Sequence, residues 1–221
     1  IPINIGIFLS NKEKITKTFI LDEKEQIFTI ENIKTIFDMP IITYFRDFSA
    51  PVEWDSDTTF SEKLLVLEYE TDFFTIYDTI KSIYNLIISK RINGKPDFNI
   101  ENKLIKTLRS IISNNKSINL YLLSEILSIP TFSEIESEIN IINPLKIYET
   151  VDELNCLFGS SLKEELSCKL KEIEKNIHQI WPEGKDERKL IETIWKLLLH
   201  SNDREIRKKV INYVGSNSMT P

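Results

Sequence analysis

Tyr44-Phe45-Arg46-Asp47-Phe48-Ser49-Ala50-Pro51-Val52-Glu53-Trp54 divides the chain. Before it, apolar residues alternate with polar ones; after it, they recur every three or four positions. Alternation marks a half-buried strand, and the longer spacing marks an amphipathic helix. The stretch therefore reads as the last strand of a small sheet and the hinge into a helical domain. Ala50 is the one alanine among 221 residues, and it precedes Pro51, whose ring fixes φ. That pairing predicts a tight site at which a larger side chain would clash.

On the N-terminal side, Ile3, Ile5, Ile7 and Leu9 alternate with Asn4, Gly6 and Phe8 and predict a first strand. Residues 15–21 predict a second, and 26–33, weighted by Ile27, Phe28 and Ile30, a third. Residues 41–45 and 51–54 complete the set, with polar turns and Pro40 as punctuation. Four or five short strands predict part of an antiparallel β-sandwich, because a closed one commonly needs about seven. So few strands leave sheet edges open, which is a solubility hazard.

On the C-terminal side, Thr59-x-x-Glu62 has the form of a capping box, the hydroxyl accepting from a free backbone N–H while the carboxylate reaches back. It opens a helix through Leu64, Leu65 and Leu67. Asp72 is placed to cap the next, whose stripe is Phe73, Ile76, Ile80, Ile83 and Ile87 with Tyr77 and Tyr84 alongside. Asn93-Gly94-Lys95-Pro96 ends it with a φ-permissive residue and then a breaker. Asn99 and Ser117 are expected to start two more helices. Leu104, Ile105, Leu108, Ile111 and Ile112 face inward in the first, and Leu120, Leu123, Ile126 and Leu127 in the second. Pro130 stops the latter, and Thr131-x-x-Glu134 is a second capping box.

Asn143-Pro144 supplies a cap and then proline at the first helical position. The stripe Ile147, Val151, Leu154, Phe158, Leu162, Leu166, Leu170, Ile173, Ile177 predicts one long helix to about Gln179. It would bend at Gly159-Ser160-Ser161, where glycine costs about 1 kcal/mol against alanine. Glu165 and Lys169 stand at the favourable four-residue spacing. Pro182 and Gly184 break the chain, and two shorter helices follow over 186–200 and 202–214. Helix after helix without an intervening strand predicts a bundle or an α-solenoid. The fold class is therefore α+β: a partial antiparallel β-sandwich domain over 1–55, then an all-α bundle or α-solenoid domain over 56–221.

The formal net charge of −6, with both signs interspersed, argues against a nucleic-acid partner. Arg207-Lys208-Lys209, beside Asp203 and Glu205, reads as a solvated helix face. No apolar run approaches the roughly 20 residues of a membrane span, so no membrane partner is expected. Cys156 and Cys168, on one continuous helix, would be about 18 Å apart in rise, against the ~7 Å a disulfide allows. Free thiols, a reducing compartment and a cytoplasmic location are expected. The N-terminal residues carry no leader pattern. The chain starts at Ile1 rather than Met, so it is expected to be a piece of something longer or a processed product.

Motifs that carry chemistry are sparse. A catalytic zinc takes three protein ligands, commonly two His one helical turn apart plus a carboxylate, and the peptidase form is His-Glu-x-x-His. The two histidines, His178 and His200, are followed by Gln179 and Ser201, and each reads as a surface or helix-end residue. Gly159-Ser160-Ser161 lies inside a helical pattern and is no nucleophile elbow; five scattered glycines make no phosphate loop. Neither cysteine has a nearby histidine partner to activate it. Glu134, Glu136 and Glu138 read as a solvated face, and Phe73, Phe74, Tyr77 and Tyr84 as core. Trp181 and Trp195 read as core or interface. No residue is assigned a catalytic, cofactor-binding or metal-binding role.

Arg46-Asp47-Phe48-Ser49-Ala50-Pro51-Val52 resembles the run that ends the small β-sandwich domain of the aminopeptidase N family of zinc metallopeptidases. Weaker similarities follow in order: residues 1–7, residues 26–33, Leu127-Ser128-Ile129-Pro130 with Glu134, Asn143-Pro144-Leu145-Lys146-Ile147, and Ser216-Asn217-Ser218-Met219-Thr220. Asn143 stands where the family usually has Asp, and Phe37-Asp38-Met39-Pro40 is looser than the family's proline-rich turn. The metal motif and the Gly-x-Met-Glu-Asn exopeptidase motif are absent, so no family role is carried onto a residue here. The resemblance implies a non-catalytic C-terminal region: the end of the sandwich plus the start of the helical domain. The parent would use zinc to remove N-terminal amino acids from peptides. This piece, itself without a cofactor, would pack on the catalytic domain of the same chain, cap it and restrict peptide access. The alternative is a freestanding α-solenoid scaffold or protein-interaction module, complete as it stands.

Overall fold

The computed structural model describes residues 1–10, 13–31, 33–36, 40–113, 118–138, 143–175, 183–201 and 203–216. The chain divides into two compact units, Ile1–Ile83 and Tyr84–Pro221. In the first, β1 (Pro2–Phe8), β2 (Lys14–Ile20) and β3 (Ile41–Thr43) form an antiparallel sheet in the order β2-β1-β3. The register runs from Pro2 opposite Ile20 to Phe8 opposite Lys14. Central β1 buries Ile5, Gly6, Ile7 and Phe8. Phe8 and Ile41 meet Val66 of α1 (Phe60–Tyr69), and Leu65 and Tyr69 pack against that cluster. The first helix therefore shares a core with the sheet.

Three strand expectations are corrected. Among the described residues, 26–31 hold no strand, and neither do 51–54. The expected strand over 41–45 stops at Thr43, and Arg46–Phe48 is a 3-10 turn. A strand needs a neighbour to take its backbone hydrogen bonds. In the described sheet β1 already has one on each side.

The helical signals survive well. The Thr59 capping box forms, with Glu62 N–H at 3.3 Å from Thr59 Oγ1 and Thr59 N–H at 2.7 Å from Glu62 Oε2. Asp72 caps α2 (Phe73–Ile92), accepting the Thr75 N–H at 2.8 Å. Ile76, Ile80, Ile83 and Ile87 are buried as the stripe requires, but Phe73 is 45% exposed. Gly94, at φ 70°, closes α2: its N–H reaches the Arg91 carbonyl and the Lys95 N–H the Lys90 carbonyl, both at 2.9 Å. That pair of bonds is a Schellman cap.

In the second unit α3 (Phe98–Ser113) is capped by Asp97, which accepts the Ile100 N–H at 3.3 Å, rather than by Asn99. Asn119 caps α4 (Leu120–Leu127) at 2.7 Å; the expected start at Ser117 lies outside the described residues. Thr131 opens α5 (Phe132–Glu138), its N–H 2.7 Å from Glu134. Asn143 caps α6 (Pro144–Ser161) at 3.2 Å. The long helix is two: Leu162 breaks it at φ −109°, ψ 12°, and α7 (Lys163–Glu174) follows. The predicted end near Gln179 lies outside the described residues. Apolar periodicity continues through a one-residue break, which is why the stripe hides it.

α8 (Lys185–Leu199) is the hub of this unit, packed by α4, α6, α7 and α9 (Arg204–Ser216). Leu190, Ile191, Ile194, Leu197 and Leu198 of α8 are all buried. Gly159 lets α6 approach it: a Cβ there would stand 2.0 Å from the Leu197 carbonyl oxygen. The Tyr84 hydroxyl, fully buried, donates to the Ile126 carbonyl at 2.8 Å. Lys169 does not pair with Glu165; it reaches Glu172 at 3.1 Å, while Glu165 takes Arg109.

Candidate functional site

The most built polar feature of the first unit lies in the dividing stretch. Glu70, at the end of α1, is 5% exposed. Its carboxylate accepts from Lys14 of β2, from Arg46, from Thr43 at 3.2 Å, and from the Thr71 and Asp72 N–H groups at 2.6 and 2.9 Å. Arg46 reaches it over Gly6, where a Cβ would meet the arginine Cδ and Nη1 at 3.0 Å. Burial alone would raise the Glu70 pKa, but the hydrogen bonds from Lys14, the two backbone donors and Arg46 outweigh it and hold the carboxyl below its usual range.

The turn beside it is strained. Phe45, Asp47 and Phe48 have φ of 51°, 55° and 51°. A non-glycine residue there costs roughly 1–2 kcal/mol and persists only where its surroundings enforce it. Here the Asp47 N–H donates to Asp72 at 3.0 Å, and the Asn4 amide donates to the Arg46 carbonyl at 3.4 Å. Ser49 accepts the Asn4 N–H at 3.1 Å and donates to the Pro2 carbonyl at 3.3 Å. Phe45 and Tyr44 lie 5.5 and 5.4 Å from Trp54. Ala50 is buried, as its tight site predicts, and the Val52 N–H closes a turn over Pro51 onto the Ala50 carbonyl at 3.1 Å.

Asn4, Thr16, Lys17, Thr18, Arg46 and Asp47 line a shallow polar cavity of about 180 Å³ above this junction. Hydrogen bonding to Asp72, and its negative charge, raise the Asp47 pKa; Asp72, held by Thr75 and the Asp47 N–H against its own desolvation, is lowered. The two carboxyls thus differ in proton affinity, with Asp47 the one that protonates first as pH falls. The arrangement locks a turn; it holds no nucleophile with a base beside it.

The sequence candidates are not brought together. His200 ends α8, with Nδ1 2.8 Å from the Lys196 carbonyl and Nε2 3.4 Å from Asp152, so it is the helix-end residue expected. His178 and Trp181 lie outside the described residues; Trp195 is half-buried. Cys156 and Cys168 are free thiols, and burial pushes the Cys156 thiol up. Glu134 and Glu136 are exposed, as are Arg207, Lys208 and Lys209. Among the described residues no group of three His, Cys, Asp or Glu side chains is placed to hold a metal, so the donors here do not fit a zinc site. Among the described residues no helix is long and apolar enough to cross a membrane. Sequence reasoning missed the Lys14–Glu70–Arg46 junction, because no period links a strand, a turn and a helix end.

Among the described residues a three-stranded antiparallel sheet is followed along the chain by a succession of helices. The family described as a domain of unknown function with ARM repeats (DUF3458_C) matches residues 61–221, and one described as a domain of unknown function with an Ig-like fold (DUF3458) matches residues 1–57. The chain belongs to the DUF3458_C family. The likeness to aminopeptidase N, expected from the Phe48-Ser49-Ala50-Pro51-Val52 run, is found: aminopeptidase N of Escherichia coli (strain K12) is 23% identical over 148 residues, 65% of this chain and 16% of that protein. The fold is that of a region of Legionella pneumophila aminopeptidase A, solved in complex with aspartic acid. The TM-score is 0.82 at 23% identity, over 100% of this chain and 27% of that one. The chain thus spans far less than two thirds of either relative.

Proposed function

We infer that this chain is a non-catalytic C-terminal region of a longer zinc-dependent aminopeptidase, a hydrolase that removes N-terminal amino acids from peptides. One observation carries the reading: an Ig-like domain over 1–57 and an ARM-repeat domain over 61–221, together overlaying a solved aminopeptidase along the whole chain. The zinc and its ligands then belong to polypeptide outside these residues. The chain's own part is shape. It packs on the catalytic domain of the same polypeptide and narrows the approach of peptides, with its two domains parting near residues 55 and 56. A cytoplasmic location, and no nucleic-acid or membrane partner, complete the proposal; the net charge of −6 and the free thiols support it.

The test is direct. The purified 221-residue chain is expected to bind no zinc and to release no amino acid from an N-terminal peptide substrate, whereas the gene's full reading frame encodes His-Glu-x-x-His before Ile1. Chelator-sensitive activity in the chain alone, or a frame lacking that motif, would overturn the reading. Removal of the helical region from an active parent should raise turnover of long peptides relative to dipeptides; an unchanged ratio would remove the gating role.

A further inference from the structure

Tyr148 of α6 is 64% exposed, and its ring stacks on that of Phe132 of α5 with centroids 5.4 Å apart. Leu145, one turn before Tyr148 on the same helix face, is 67% exposed. Ile135 and Ile147 of the same two helices are buried, so the face is carried on packed elements. A single exposed apolar side chain needs no explanation, but a stacked pair of rings beside an exposed leucine marks an interaction surface. Each of these three side chains has a carboxylate four residues further on, the spacing of neighbours on a helix: Glu136 after Phe132, Glu149 after Leu145 and Asp152 after Tyr148. All three carboxylates are exposed. Among the described residues no cation stands against Glu136 or Glu149, and Asp152 is met by His200 Nε2 at 3.4 Å. Lys146, which lies between Leu145 and Tyr148 in sequence, is turned elsewhere, its ammonium 3.4 Å from the Ile92 carbonyl.

Those charges decide the occupant. Across a two-fold axis each patch would meet itself, carboxylate against carboxylate, in a chain whose net charge is already −6. The same sign repels nucleic acid and anionic lipid. What fits is a cation next to an apolar side chain. A lysine or arginine has the Tyr148 ring to lie over and the carboxylates to pair with, and an aliphatic neighbour has Leu145 to cover. We propose that Phe132, Leu145 and Tyr148, edged by Glu136, Glu149 and Asp152, form a docking surface for a basic, aliphatic-rich peptide segment of another protein. The inference stands on α5 and α6 alone and does not depend on the aminopeptidase reading.

Calorimetric titration of the 221-residue chain with the peptide acetyl-Arg-Leu-Arg-Leu-Arg-Leu-amide, and with the same peptide carrying Glu for Arg, tests it. The cationic peptide is expected to bind and the anionic one not. Tyr148→Ala should weaken binding by about tenfold or more, as the loss of a central interface aromatic does. Glu149→Gln, which leaves both rings in place, should weaken it by about threefold, and ~1 M salt should weaken it further. Both positions are exposed, and circular dichroism checks that each variant folds. Equal affinity for the two peptides, an affinity that neither substitution moves, or no binding of the cationic peptide at millimolar concentration overturns the proposal. Self-association seen by sedimentation and abolished by Tyr148→Ala assigns the face to a second copy and also overturns it. Binding to the 221-residue chain but not to the intact longer protein gives the face to neighbouring polypeptide, with the same consequence. The aminopeptidase reading is untouched by any of these outcomes.

Discussion

Glu70 has a fully buried side chain held against two cations. Removing it strands Arg46, whose side chain is 10% exposed, without its partner. Glu70→Ala should therefore destabilise the chain by about 3–5 kcal/mol, the usual cost of breaking rather than replacing a buried pair. Urea unfolding followed by circular dichroism measures it; a loss below 1 kcal/mol would show about as much interaction as an exposed pair gives. Gly159 makes the opposite kind of test. Helix propensity favours alanine there by about 1 kcal/mol. Yet the new Cβ would sit 2.0 Å from the Leu197 carbonyl, a backbone atom that no rotamer change moves. Overpacking of that kind costs up to about 3 kcal/mol, so Gly159→Ala should lower the urea midpoint. The sequence shows Gly159 only as a flaw in a helix. Which backbone it lets through is a fact about α8, and no local pattern carries it.

Element boundaries were legible where a single side chain closes a backbone group. Thr59, Asp72, Thr131 and Asn143 cap helices as read, since capping is a contact within three residues and so is written locally. Asn99 misled because Asp97, two positions earlier, has the same chemistry and takes the role. Strands were the weaker reading. Residues 26–31 have strand composition, but a strand exists only against a neighbour, and composition does not name one. The Lys14–Glu70–Arg46 junction was illegible for the same reason. Thr59→Ala and Asn143→Ala should each cost about 1 kcal/mol in thermal or urea unfolding. Asn99→Ala should be near neutral beside Asp97→Ala; the reverse order would restore the cap to Asn99.

At the scale of the whole chain, acid should unfold it through named carboxylates. Glu70, Asp72, Asp97 and Asp203 are all held below their usual range by hydrogen bonds. Unfolded Glu and Asp titrate near ~4.3 and ~3.9, so the unfolded chain binds protons first as pH falls. The stability these groups contribute is complete above about pH 5 and is lost as pH drops through their folded values. Asp78, raised by desolvation, and Asp47, raised by its bond to Asp72, act in the opposite direction and recover some stability in acid. Salt separates the contributors. The half-buried ion pairs of Asp97 with Lys90 and of Asp203 with Lys163 are more open to ions than Glu70, and ~1 M salt reduces the screening length to about 3 Å. Glu70 and Asp72 are buried and escape that screening. Melting temperatures measured from pH 7 to 3 at low and high salt should keep an acid limb in salt, and Glu70→Gln with Asp72→Asn should flatten it. A limb that vanishes in salt, or survives both substitutions, would move the acid sensitivity away from the dividing stretch and onto the surface pairs.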